Sequence, residues 1–194
     1  MSGERISLSL DKSVERSYKD GTSVRARVIL PQRADPGSTA IHEAVHVVAA
    51  GEIVSATNIP SGDALGTTRP VRMTAIAASA PAALGHSGAG WDKFITENYL
   101  GMDFDTAKRA ARSALAGKEK EIEAVAIQIE EKRRITQTDV DEARRSVAQQ
   151  EQGIFPVEVT VVKSGTVYSY TTNSSRGEIQ ISDIGSEDDL SSEY

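Results

Sequence analysis

Residues 40–48, "AIHEAVHVV", are apolar except for two histidines and one glutamate, in a chain with three histidines and no cysteine. The apolar residues surround the polar ones on every side, so a helix here is buried around most of its circumference. His42 and His46 stand four apart, one turn along the same helical face, where both imidazoles can reach one ion. Burying two imidazoles and a carboxylate without partners would cost on the order of several kcal/mol, and a metal ion offsets that cost. With no thiol in the chain, such an ion must rest on histidines and carboxylates. The pattern is H-E-x-x-H, in which Glu43 sits beside the first ligand as a general base acting on water. The competing reading of the same five residues is a pair of core histidines satisfied by ordinary hydrogen bonds.

The bulk properties narrow the setting. The chain has 194 residues, 39% hydrophobic and 26% charged, which allows one well-buried domain with an appendage. A net charge of −6 argues against nucleic acid or an anionic membrane as the main partner. No apolar run approaches the roughly 20 residues of a membrane span, and residues 1–21 lack the apolar core of a signal peptide. The expectation is a cytoplasmic protein.

Along the chain, residues 1–36 read as a strand-like or irregular extension, in which "RISLSL" and "SVRARVIL" alternate. Asp35 and Pro36 suit the start of a helix running to about residue 50, with Gly51 as its stop. "EIVSATNIP" predicts a strand, and "SGDALGTTRP" a glycine-bearing turn. Residues 73–85 are rich in small residues and predict a tightly packed helix broken near Pro81, and "GHSGAG" a loop before Trp91. Three helices are expected at 103–116, 118–133 and from Thr136 to about Gln150. In the first, Phe104, Ala107, Ala111 and Ala114 recur at helical spacing; in the second, Ile122, Val125, Ala126 and Ile129 form a stripe. Thr136 with Asp139 resembles a capping box for the third. Residues 151–185 turn to alternating Val, Tyr and Thr, a β-hairpin or three-strand extension with turns at Ser164–Gly165 and around 173–177. Residues 186–194 are an acidic tail expected to be disordered.

Residues 38–70, "STAIHEAVHVVAAGEIVSATNIPSGDALGTTRP", resemble the peptidase domain of FtsH-type AAA+ zinc proteases. That family carries H-E-A-G-H on a helix, then a strand and a turn of the form P-x-G-x-A-L-G, matched here by Pro60, Gly62, Ala64, Leu65 and Gly66. Its third zinc ligand is an aspartate heading a later helix, and "DFDTAKRAAR" at 103–112 places Asp103 on that position. Asp105 is the nearest competitor, and Asp92 and Glu97 are weaker ones. The resemblance covers roughly 37–150, with departures: Val45 replaces the usual glycine, Met102 replaces a polar residue, and neither an ATPase module nor a Walker A pattern is present.

The resemblance implies a mainly helical zincin-like peptidase domain at 37–150 with a small strand pair near the active site; with the C-terminal β extension, which the alternation at 151–185 adds outside it, the expected class is α+β. It implies Zn²⁺ held by His42, His46 and Asp103, with Glu43 as catalytic base. Gly62, Ala64, Leu65 and Gly66 would border the cleft where a peptide substrate adds as a strand. His86 could enter the site, although a surface loop histidine is the reading favoured by its surroundings. The expected activity is an endopeptidase acting on unfolded or flexible segments without ATP on this chain, with a separate unfoldase or self-association as further partners. The alternative is a catalytically silent pseudoprotease or a zinc-containing binding module.

Overall fold

The computed structural model describes residues 5–8, 10, 12–30, 33–51, 74–175 and 177–180. Two compact units make up the chain: residues 32–147, and residues 1–31 together with 148–194. The class is α+β, with six helices and a four-stranded antiparallel sheet among the described residues. The strand and turn expected between 52 and 70, with Gly62, Ala64, Leu65 and Gly66, lie outside the described residues, as does the acidic tail.

The helical unit begins with α1 (Thr39–Ala50). It starts later than the sequence suggested. Asp35 takes the Gly37 amide in a local turn at 3.0 Å, and Ser38 becomes the N-cap, accepting from the Ile41 amide at 3.3 Å. Gly51 ends the helix in the left-handed region, φ 80°, as expected. The helices α2 (Ala75–Ala83), α3 (Gly90–Asn98), α4 (Phe104–Leu115), α5 (Glu119–Lys132) and α6 (Gln137–Glu151) follow. Pro81 lies inside α2 without breaking it.

α1 packs against α2 and α5, and α2 against α4. The buried residues of α2 are mostly alanines and those of α4 include Ala107 and Ala111, small side chains that let the two packed helices approach closely. On α4 the expected Ala114 is exposed, and Leu115 takes the buried place. The α5 stripe Ile122, Val125, Ala126 and Ile129 is buried as its spacing implied, and α6 contributes Val140 and Ala143. Asp139 accepts from the Thr136 amide at 2.6 Å, which is one half of a capping box; the Thr136 hydroxyl turns to the same carboxylate instead of capping.

One polar knot ties this core to α1. Glu121 is buried on α5 and accepts from Arg144 Nε of α6 at 2.6 Å and from Lys118 Nζ at 2.9 Å. Arg144 Nη2 also donates to the Gly51 carbonyl at the end of α1, 3.1 Å away. Burial pushes the Glu121 carboxyl up, but the hydrogen bonds from Arg144 and Lys118 outweigh it and hold the group below the usual range.

The second unit joins both ends of the chain. Its sheet runs β2 (Ser13–Ser17), β3 (Ser23–Val28), β4 (Pro156–Lys163) and β5 (Thr166–Asn173), all antiparallel, and β1 (Arg5–Ser7) pairs with β6 (Glu178–Gln180). Val24, Ala26 and Val28 oppose Val161, Val159 and Val157 and are buried with them, as the period of two dictates. The β4–β5 hairpin turns on Ser164 and Gly165, at φ 52° and 82°, the left-handed pair of a type I′ turn. The segments at 1–36 and 151–185, separate in sequence, thus share one sheet.

Replacing Arg144 with Ala leaves Glu121 buried without its main partner and frees a carbonyl of α1. Urea unfolding should show a loss of about 2 kcal/mol. Glu121 titrates below its unfolded value, so its contribution is complete above the ordinary glutamate range and fades as pH falls through the depressed folded value. The deficit of the Arg144→Ala protein relative to the parent should therefore shrink on acidification.

Candidate metal centre

His42 and His46 project from one face of α1, and the structure brings a carboxylate to them. That carboxylate is Asp92, in the first turn of α3. His42 Nε2 and His46 Nε2 lie 3.2 Å apart; Asp92 Oδ2 is 3.5 Å from the first, and Oδ1 is 3.6 Å from the second. Asp92 is 8% exposed, and its Oδ2 has no hydrogen-bond partner among the described residues. Bonds of about 2.0–2.1 Å at tetrahedral angles hold donor atoms about 3.3–3.4 Å apart, so the three spacings fit one small divalent ion. An orphaned buried carboxylate oxygen and two imidazole nitrogens converging on one point are the donor set such an ion takes up.

A backbone carbonyl sets the ring of His46. His46 Nδ1 lies 2.8 Å from the Ala77 carbonyl, which can only accept, so the proton sits on Nδ1 and Nε2 presents its lone pair. The Ala77 carbonyl is free to do this because the residue four positions on is Pro81, which has no N–H to return to it. The Ser87 backbone, in the loop between α2 and α3, adds slightly to what favours the protonated form of His42. The Asp92 carboxylate raises the pKa of His42, against the effect of burial, whereas burial lowers that of His46.

A cleft of about 540 Å³ opens beside these residues, between the first turn of α1 and the α2–α3 loop. His42, half-buried Glu43 and His86 all line it. Glu43 therefore borders open space next to His42, where a base for water would stand.

The remaining carboxylates named from sequence lie elsewhere. Asp103 is the N-cap of α4, exposed, and accepts from the Thr106 amide at 2.8 Å; hydrogen bonds from the Thr106 side chain and backbone hold its carboxyl below the usual range. Asp105 pairs with Lys108 at 3.0 Å and Glu97 with Lys93 at 3.9 Å. Asp92, the weaker competitor on sequence grounds, is the carboxylate that the fold places with the histidines. The signal for it was present but inverted. In α3 the buried face is polar, Asp92 and Thr96 one turn apart, while Trp91 and Phe94 are exposed. No protein-family model, curated protein or solved structure matches this chain.

Asp92→Asn should weaken binding of a divalent ion at least about 100-fold by isothermal titration, while Asp103→Asn should leave it within about twofold. Pro81→Ala separates the demands of helix and site. Restoring an N–H at residue 81 should raise thermal stability by about 1 kcal/mol and lower ion affinity about tenfold, because the Ala77 carbonyl is drawn back into the helix.

Proposed function

We propose that the helical unit is an FtsH-like zinc endopeptidase of zincin-like fold, with zinc held by His42, His46 and Asp92. The observation that carries this reading is the convergence of those three donors beside a cleft that Glu43 also lines. His42, His46 and Asp92 would hold the ion with three protein donors, the number that catalytic rather than structural zinc takes.

Bound there, zinc supplies an electrophile that polarises a scissile carbonyl and brings the pKa of water towards neutrality. Glu43 accepts the proton of the attacking water and returns it to the leaving amine as the peptide bond breaks. Ala77 keeps the proton of His46 on Nδ1 throughout, so its Nε2 stays available. Asp92 brings one negative charge to the donor set, so a divalent ion held there would keep net positive charge with which to stabilise an oxyanion. No part of this reaction uses ATP, so the substrates are polypeptide segments that are already unfolded or flexible. Among the described residues no helix is long and apolar enough to cross a membrane.

The test is cleavage of a reduced and alkylated, permanently unfolded reporter protein by the zinc-loaded chain. Cleavage should be lost with chelator and fall by at least about 10³-fold in Glu43→Gln, with zinc content unchanged in that variant. Cleavage that persists in Glu43→Gln would refute the role of the base, and its absence from the zinc-loaded parent would refute the reading.

A further inference from the structure

The third histidine stands on the wall of the same cleft. His86 follows Gly85 and lies two residues before Gly88, both glycines being in the left-handed region, φ 85° and 92°. Its own amide donates to the Pro81 carbonyl at 3.0 Å, and the Gly85 amide before it donates to the Ala82 carbonyl at 3.2 Å. These backbone bonds tie the loop at His86 to the end of α2. The ring itself is half-buried and makes no hydrogen bond to any described residue. A half-buried imidazole lining a cleft, with no ring hydrogen bond among the described residues, has hydrogen-bonding capacity left for a ligand. The His86 ring is not among the mutually close donor atoms of His42, His46 and Asp92, and it lines the cleft that His42 also lines.

We propose that His86 is a substrate-contacting residue that hydrogen-bonds the main chain of the bound polypeptide beside the scissile bond. This deepens the peptidase reading and rests on it. A main-chain contact is indifferent to sequence, which suits unfolded segments of any composition. It also places the chain across the cleft, between the α2–α3 loop on one side and Glu43 on the other.

The experiment measures binding in the zinc-loaded Glu43→Gln protein, which holds the chain uncut. Fluorescence anisotropy of the labelled unfolded reporter gives its affinity. Imidazole NMR follows the three histidines one by one, His86 being assigned from the signal missing in His86→Ala. We expect the His86 signal to shift on adding reporter, and His86→Ala to weaken binding about tenfold, the loss of one hydrogen bond, at unchanged zinc content. His86→Gln, whose amide can still donate and accept, should recover part of that loss. Binding equal to the parent in His86→Ala would overturn the proposal while leaving the peptidase reading intact if the wild-type chain cleaves. Loss of zinc in His86→Ala would also overturn it, by making the residue a ligand. Neither binding nor cleavage by the zinc-loaded parent would bring down both readings together.

Discussion

The site depends on one missing hydrogen. Proline at 81 cannot complete the helical bond to the Ala77 carbonyl, and that carbonyl instead accepts the Nδ1 proton of His46. A proline inside a helix ordinarily costs about 3 kcal/mol, partly because it strands a carbonyl. Here the stranded acceptor is used by a side chain on the neighbouring helix, and it fixes which nitrogen of His46 faces the centre. The close approach of α1 and α2 that this bond requires comes from alanine: Ala40 and Ala44 on α1, and Ala77 and Ala80 on α2, are all fully buried.

The carboxylate arrives by a different route. α3 turns its polar face inward, so that Asp92 and Thr96 are buried while two aromatic side chains stay outside. The Thr96 hydroxyl returns to the Asp92 carbonyl oxygen at 2.7 Å, which satisfies it locally. Among the described residues, the Asp92 carboxylate has the two histidines as its charge partners. Such a group is costly to bury alone, and the cost falls only if positive charge is shared among the three residues, as a proton or a cation. The same electrostatics explains why the two histidines differ. His42 feels the carboxylate more than its own burial, and His46 feels burial first.

Much of the fold was legible in the sequence because it rested on local rules. The stripe of α5, the stop at Gly51, the Ser164–Gly165 turn and the alternation of β4 follow from period and backbone preference alone. The failures have equally specific causes. Asp35 was a plausible cap, but its side chain satisfied a nearer amide, and Ser38 took the role. Pro81 looked like a break because its lost bond appeared uncompensated, and the compensation comes from a residue thirty-five positions earlier. α3 escaped because its large apolar residues are on the outside, so hydrophobic periodicity pointed the wrong way.

The sequence by itself determined that His42 and His46 share one helical face with Glu43 beside them, since i and i+4 spacing on a helix needs nothing beyond the helix. It also determined that the segment must be buried, and hence that its imidazoles need partners. Which carboxylate joins them could not be decided along the chain: Asp92, Glu97, Asp103 and Asp105 fall within fourteen residues, and each suits the first or last turn of a helix. Tertiary structure decided it. Packing of α2 against α4 and of α3 beside them turns Asp92 inward and leaves Asp103 at an exposed helix start, where a backbone amide already occupies it. Which carboxylate meets the histidines is a matter of three-dimensional convergence, and the packing of helices distant in sequence sets it.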